Sequence, residues 1–435
     1  MKRPVVLILA ATIGTISALQ VRAADSGTDG HAVADSLSSF LQEQRVSGVL
    51  RTDYFGASKT LDGEKDLLGA TAQIKAQPRF AENLDGKLEL RVSDPGIGKG
   101  ASTKNQLLEG YLNAHFEKAD LRVGKQIIAW GRADGINPTD NLTPRNYAAM
   151  LPFEDDQRFG TTAVKLDYYL SQAYTVTAFV TPFFEPSKIP LPTARGYTFI
   201  ETKPHATLSN TELGLKLNQV SDGLDWSVSA FHGFSLLPQM QLVASGPATS
   251  VVELSYDRIT VFGADFARSY GRYGLRGEVA YGHPDDTRGA ESGAMKPYLS
   301  WVAGVDRTFF ENLNVNLQFF QRRVRGYREQ DLITSPAQRS IAIQSVLLNG
   351  QRDRINNGIS FRVSNKWLND SLEFEVFSVL NLTRSNRLIR PLLTYAFNDH
   401  WKGTIGAEYY SGADDTQFGS LKASRGAFAE LRYGF

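Results

Sequence analysis

No cysteine occurs in the 435 residues, which excludes disulfides, thiolate metal sites and cysteine nucleophiles at once. Net charge is almost absent as well. The 47 basic and 46 acidic residues leave a formal +1, so the chain offers no overall field that would gather nucleic acid. Long apolar runs are missing except at the very start, whereas each membrane helix needs about 20 consecutive apolar residues, so a helical membrane bundle is excluded. The six histidines are scattered, with no two at the spacing a zinc site would use. Aromatic residues, at 11%, and 38 glycines are plentiful, and no long helical pattern follows the first segments. Length alone would suggest two or three soluble domains, but that balance fits one large β architecture better.

The single apolar run has the layout of an export signal. Lys2 and Arg3 precede apolar residues 5–19, and Val21-Arg22-Ala23 places small side chains where a signal peptidase reads them, so residues 1–23 are expected to be cleaved after Ala23. Residues 24–45 then read as a periplasmic lead-in, in which Val33, Leu37, Phe40 and Leu41 have helical spacing.

From Val46 onward the hydrophobic period is two. In residues 426–435, Ala427, Ala429, Leu431, Tyr433 and Phe435 share one face, while Phe428, Glu430, Arg432 and Gly434 share the other. The same alternation sets Leu372, Phe374, Val376 and Leu380 against Glu373 and Glu375. It also sets Ile355, Ile359, Phe361 and Val363 against Arg354, Asn356, Ser360 and Arg362.

A soluble sandwich alternates too, so the connections decide. Tight turns at 117–120, 170–173, 311–313 and 398–400 alternate with nine polar stretches at 55–65, 93–104, 131–159, 185–207, 236–250, 283–295, 326–351, 383–386 and 412–424. Short turns at one end and long loops at the other mark a transmembrane barrel. With both chain ends at the short-turn side, the predicted count is about 18 strands, between about 16 and 20. The count requires residues 251–269 to be one long strand and 340–350 to belong to a loop. It places Trp130 and Trp301 at outer strand ends and Trp226, Trp367 and Trp401 at inner ones, where interfacial girdles lie. Pro391 breaks the pattern, because it removes a ladder hydrogen bond from a sheet with no free edge. The expected fold is all-β: an antiparallel transmembrane barrel over residues 46–435, with short periplasmic turns and long extracellular loops.

In hydrocarbon no backbone group can stay unpaired, so such a sheet closes and every second residue lines a lumen. At this size the lumen is wide enough for water unless a loop narrows it. The predicted lumen wall carries Glu109, His115, Arg322, Arg354, Arg362, Glu375 and Arg390, with Asn113, Asn314, Asn316, Gln318, Glu373, Lys402 and Glu408 beside them. The third outer loop, at 131–159, is the most distinctive segment. Arg132, Asp134, Asp140, Arg145, Asp155, Asp156 and Arg158 put both charge signs on a path stiffened by Gly131, Gly135, Pro138 and Pro144. In general porins the corresponding loop bends into the barrel, so these seven charged residues are the candidate constriction. A surface loop that pairs its charges with neighbours or lipopolysaccharide is the alternative.

The run Leu121-Arg122-Val123-Gly124-Lys125-Gln126-Ile127-Ile128-Ala129-Trp130-Gly131, followed by Asn137-Pro138-Thr139-Asp140, resembles a strand and loop of porin-like outer-membrane proteins. These include the family catalogued as a domain of unknown function, DUF1302, and, less closely, the alginate-export barrels. Lys125 stands where Arg is usual in that pattern. Residues 406–435, with Tyr409, Gly412, Asp415-Thr416 and Phe418-Gly419, look similar to the same group. Phe435 resembles the terminal signal that the barrel assembly machinery reads.

This resemblance implies a bacterial outer-membrane protein in contact with lipid and lipopolysaccharide. With a wet inner face it implies a passive channel for small polar or anionic solutes. Two other readings stay open: an export conduit for an acidic polysaccharide, which needs a continuous positive lumen, and a closed structural or adhesive barrel. No enzyme, cofactor or metal site is expected. Lys99 is followed by Gly100 rather than the Ser or Thr of a phosphate loop, no Ser-His-acid set is marked, and the pairs Asp155-Asp156, Asp285-Asp286 and Asp414-Asp415 read as solvated loop charge rather than calcium ligands. Arg322, Arg323, Arg325 and Arg328, with Arg352 and Arg354, crowd one rim, where guanidinium forks suit anionic solutes or lipopolysaccharide phosphate. Monomers and trimers fit the outer face equally, since lipid and subunit contacts use similar residues.

Overall fold

The computed structural model describes residues 41–57, 66–97, 103–149, 153–191, 196–246, 249–285 and 293–435. The expected signal peptide, residues 1–23, and all of the expected lead-in except residues 41–45 lie outside these. The alternating segments form β1 (Ser47–Ala57), β2 (Asp66–Ala76), β3 (Arg79–Ala81), β4 (Leu84–Asp94), β5 (Lys104–Phe116), β6 (Ala119–Gln126), β7 (Thr161–Tyr169) and β8 (Tyr174–Thr181). Then come β9 (Tyr197–Glu201), β10 (Glu212–Gln219), β11 (Leu224–Phe234), β12 (Gln239–Ser245), β13 (Ser250–Ser255), β14 (Arg258–Tyr270), β15 (Tyr273–Pro284), β16 (Tyr298–Phe309) and β17 (Leu313–Val324). The chain finishes with α1 (Pro336–Leu348), β18 (Ile355–Trp367), β19 (Leu372–Asn381), β20 (Asn386–Ala396), β21 (Trp401–Ser411) and β22 (Gly426–Gly434).

Nineteen of these strands share one sheet, and β3 pairs only with β4, which leaves 18 in a closed antiparallel ring. Each pairs with its neighbours in chain order, and β1 closes against β22, with Val49 opposite Gly434 and Ala57 opposite Gly426. The seam continues past the last strand. Gly48 N donates to Phe435 O at 2.9 Å, and Phe435 N donates to Gly48 O at 3.1 Å. Closure is required physically, because each unpaired backbone group in hydrocarbon costs several kcal/mol. Hairpins such as 117–118, 271–272 and 310–312 join strands at one end, and the long connections lie at the other.

Side chains follow the parity read from the sequence. On β10, Leu213 and Leu215 are exposed outward while Glu212 and Gly214 are buried, and on β22 Leu431 is exposed while Phe428 and Glu430 are buried. An aromatic belt rings the short-turn end, including Tyr174 edge-on to Trp226 with centroids 6.3 Å apart, and Trp401 with Tyr433 at 4.9 Å. Trp367 is exposed at the same end. Pro391 points outward on β20. Pairing with β21 skips from Ile389–Tyr409 to Leu392–Gly406 around it, so the missing donor falls in a local gap.

Four expectations need correcting. Residues 251–269 are not one strand: β13 belongs to a separate sheet with β9 and β12 at the long-loop end, and only β14 enters the barrel. Helix α1 lies within the stretch expected to be plain loop, started by Ser335, whose Oγ accepts from Gln338 N, and by Pro336. Trp130 is not at the lipid interface. It lies inside the barrel, 5% exposed, edge-on to Phe179 at 5.9 Å. The interior is also less wet than polar alternation implies, since Trp130, Phe179, Phe231, Val261, Ala280 and Tyr298 belong to one buried apolar cluster. Inward apolar residues concentrate where the chain between β6 and β7 packs on the wall.

Candidate functional site

That connection, residues 127–160, is the third at the long-loop end. It is tied down at its start by Ile127 N donating to Glu109 Oε1 at 3.0 Å, and by a reciprocal pair in which Ile128 N reaches Thr143 Oγ1 at 3.2 Å and Thr143 Oγ1 donates to Ile128 O at 2.7 Å. From there it runs to the wall opposite its own strands.

Glu278 on β15 is the anchor there. Its buried carboxylate accepts from Arg132 N and Ala133 N at 2.5 and 2.6 Å through one oxygen, and from Thr139 N and Thr139 Oγ1 at 3.3 and 2.9 Å through the other. Four donors converge on one charge, the arrangement that makes hydrogen bonds strongest. Gly131 permits it, because its φ is +93° and a Cβ would sit 2.5 Å from Glu278 Oε1 and 2.7 Å from Thr139 Oγ1.

Two loop charges fix the turn sideways. The Arg132 guanidinium reaches Asn218 Oδ1 on β10 at 2.7 Å and Asp265 Oδ1 on β14 at 3.2 Å. Asp134 pairs with Arg362 of β18, Nε to Oδ2 at 2.9 Å, and accepts from Asn316 Nδ2 at 3.2 Å. Gln318 of β17 brackets the same residue, accepting from Asp134 N at 3.1 Å and donating to Asp134 O at 2.5 Å. Arg362 in turn reaches Glu375 Oε1 at 2.6 Å.

Further along, Asp140 is nearly buried and receives Arg158 NH1 at 2.7 Å and Arg145 NH2 at 3.5 Å, a knot internal to the loop. The backbone around Arg145 is stitched to the next long connection. Arg145 N donates to Ser187 Oγ at 3.0 Å, and Lys188 N donates to Arg145 O at 2.9 Å. Burial beside the Phe159 ring pushes the Lys188 ammonium below its ordinary value. The segment then touches the near wall: Asp156 Oδ2 lies 2.5 Å from Arg51 NH1 on β1, and Asp156 O accepts from Arg91 NH1 on β4 at 2.7 Å. The loop therefore contacts β10, β14, β15, β17 and β18 on one side of the lumen and β1 and β4 on the other. It bridges the barrel.

Of the constriction residues expected from sequence, Arg132, Asp134 and Asp156 touch the wall, whereas Asp140, Arg145 and Arg158 hold one another. The side chain of Asp155 lies outside the described residues. Among the expected wall residues, Glu109, Arg362 and Glu375 face the lumen as above. Arg390 is buried, its Nε 3.7 Å from Glu408 Oε1, and Arg322 NH1 donates to Asn349 O at 2.6 Å just below α1. His115 sits near the short-turn end, held between Asp85 at 2.6 Å and Asp120 at 2.7 Å, away from the bridging loop. Arg354 immediately precedes β18 and is exposed, its carbonyl accepting from Val324 N at 2.8 Å.

Glu278, Asp265, Arg51 and Arg91 were not singled out by sequence. Each does alternate with apolar neighbours, Glu278 with Val279 and Arg91 with Leu90, but nothing local distinguishes an anchor from any other inward polar residue. Above the rim, Arg352 joins Asp331 at 2.9 Å and Asp415 at 2.8 Å, and Arg384 joins Asp415 at 3.0 Å and Asp353 at 2.8 Å. The rim arginines thus tie the last three long-side connections together.

The family profile described as "Protein of unknown function (DUF1302)" matches residues 97–429. No curated protein sequence matches the chain. Among solved structures, Acinetobacter baumannii OccAB1 has a TM-score of 0.53 at 14% identity, covering 90% of this chain and 96% of that one. Pseudomonas aeruginosa OccD3 (OpdP) has 0.54 at 10% identity, with 90% and 91% covered, and the outer membrane protein opdK of Pseudomonas aeruginosa has 0.56 at 8% identity, with 90% and 98% covered. At such identities the likeness is one of fold.

Proposed function

The chain belongs to the DUF1302 family and has the fold of outer-membrane porins, and from that premise we propose that it is an outer-membrane channel for passive diffusion of small polar or anionic solutes. The observation that carries this reading is the loop 127–160, bonded to opposite walls of an 18-stranded lumen and so dividing its cross-section. Such a loop narrows a wide barrel without sealing the rest of it. The arginines facing the lumen, Arg51, Arg91, Arg362 and Arg390 among them, favour anions, because a guanidinium keeps its charge and offers paired donors. Inner carboxylates at Glu109, Asp265, Glu278 and Glu430 interrupt any continuous positive track, which supports small solutes over an acidic polymer. In this setting the outward apolar face meets outer-membrane lipid, the long connections face lipopolysaccharide and the medium, and the closing strand ending in Phe435 is what the assembly machinery engages.

Planar-bilayer recording of the purified chain tests the reading. Discrete conductance with anion preference is expected, and deletion of residues 132–158 should raise it. Absence of current from both forms overturns the proposal, and liposome swelling with sized solutes separates a narrow channel from a sealed barrel.

A further inference from the structure

The near-wall contact of the bridging loop is built differently from the far one. Glu278 holds its segment through four hydrogen bonds, whereas the Asp156 carboxylate is held by one short pair to Arg51 at 2.5 Å and by two loose approaches, Arg91 NH2 at 3.8 Å and Arg432 NH2 at 4.0 Å. Three cationic forks thus surround one carboxylate that makes a short contact with only one of them.

The deepest fork is itself incompletely used. The Arg51 side chain is 1% exposed, and its Nε and NH2 have no hydrogen-bond partner among the described residues. Burying such donors unpaired is costly, so the site holds more donor capacity than Asp156 takes up. Glu430 lies 3.8 Å from Arg51 NH1 with its Oε2 also unpartnered. Arg51 therefore has a second carboxylate on the wall to turn to when Asp156 leaves. On the lumen side the lid is thin, since Asp156 is 17% and Arg432 30% exposed.

We propose that Arg51, Arg91 and Arg432 form a site for a small carboxylate-like anion, which Asp156 occupies as a tethered ligand, and that a soluble anion taking its place frees the 153–158 segment from this wall and widens the path. The chemistry is read from the site's own occupant, a carboxylate. Arg91 also holds Asp156 O at 2.7 Å, so release parts that bond as well, and the movement stays local because the Glu278 anchor on the far wall remains. The widening rests on the channel reading above, but the anion site does not.

The absence of native cysteine allows a single nitroxide label at Gln157→Cys. As acetate replaces chloride at constant ionic strength, the label should become more mobile. With Asp156→Asn it should be mobile from the outset and insensitive to acetate, and Asp156→Glu should restore the restrained spectrum. In bilayers Asp156→Asn should conduct roughly twofold more than the parent, as expected when a charged obstruction leaves a constriction. Identical, acetate-insensitive spectra in the parent and Asp156→Asn overturn the site. If the label responds to acetate but no variant carries current, the site stands and the channel reading falls. If current flows while the label never responds, the channel stands and the tethered ligand is refuted.

Discussion

Glu278 shows how much a single residue can organise here. Its loop partners lie 139 to 146 positions away in sequence, yet the loop's first turn is shaped around this carboxylate. Hydrogen bonds to a charged acceptor contribute about 1.5–3 kcal/mol each, and Glu278→Gln replaces one accepting oxygen by an amide that faces N–H donors. The loop should loosen while the barrel survives. Trypsin, which should spare Arg132 in the parent, is expected to cut there in Glu278→Gln, with the fragments read by mass spectrometry. Gly131→Ala should act the same way, through a strained φ and a collision with the same carboxylate. An uncut loop in both variants would show that Glu278 is not the anchor. The Trp130-Gly131 and Asn137-Pro138-Thr139-Asp140 motif was legible in the sequence, but its reason was not. The glycine, the threonine hydroxyl and the backbone N–H groups all answer to a residue on a strand that local reading could not connect to them.

Among the elements, the barrel strands were the most legible and the long connections the least. Strands advertise themselves by period two, since one face meets lipid and the other the lumen. Helix α1 carried start and stop signals in Ser335-Pro336 and Asn349-Gly350, and its buried side, Ile341, Ala342, Ser345 and Val346, has helical spacing. A reading governed by strand parity assigned it to loop because no strand fitted. The connections above the rim are held together by charge, which makes them sensitive to acid. The Arg352 guanidinium beside Asp331 holds that carboxyl below the usual carboxylate range. A carboxyl lowered in the folded state stabilises above its unfolded value, about 3.9, and loses that contribution as pH falls through the lower folded value. Protection from hydrogen exchange in 325–354 and 412–425, taken relative to the intrinsic rate at each pH, should therefore be constant from neutral pH down to about 4 and fall below it. Arg352→Ala should give the loosened pattern already at neutral pH. Protection unchanged by that substitution would show that packing around α1, rather than charge, holds these connections.

For the whole molecule the decisive fact is closure. Gly48 and Phe435 exchange two backbone hydrogen bonds, and the Phe435 ring occupies the space a Cβ on Gly48 would need. Gly48→Val should impair the seam and reduce the heat-modifiable folded band in detergent gels, whereas Thr52→Val, on the lipid face of the same strand, should not. Equal folding of both would mean that the seam tolerates the collision. Alternation and turn chemistry are local and lipid permits only a closed sheet, so the class of fold, the approximate strand number, the two faces of each strand and the unusual third connection could be read from the chain alone. Which charges pair across the lumen, which arginines gather around Asp156, and why Trp130 is inside rather than in the girdle were decided only in three dimensions. Parity says that a side chain points inward. It cannot say what a loop returning from the opposite wall will bring to meet it.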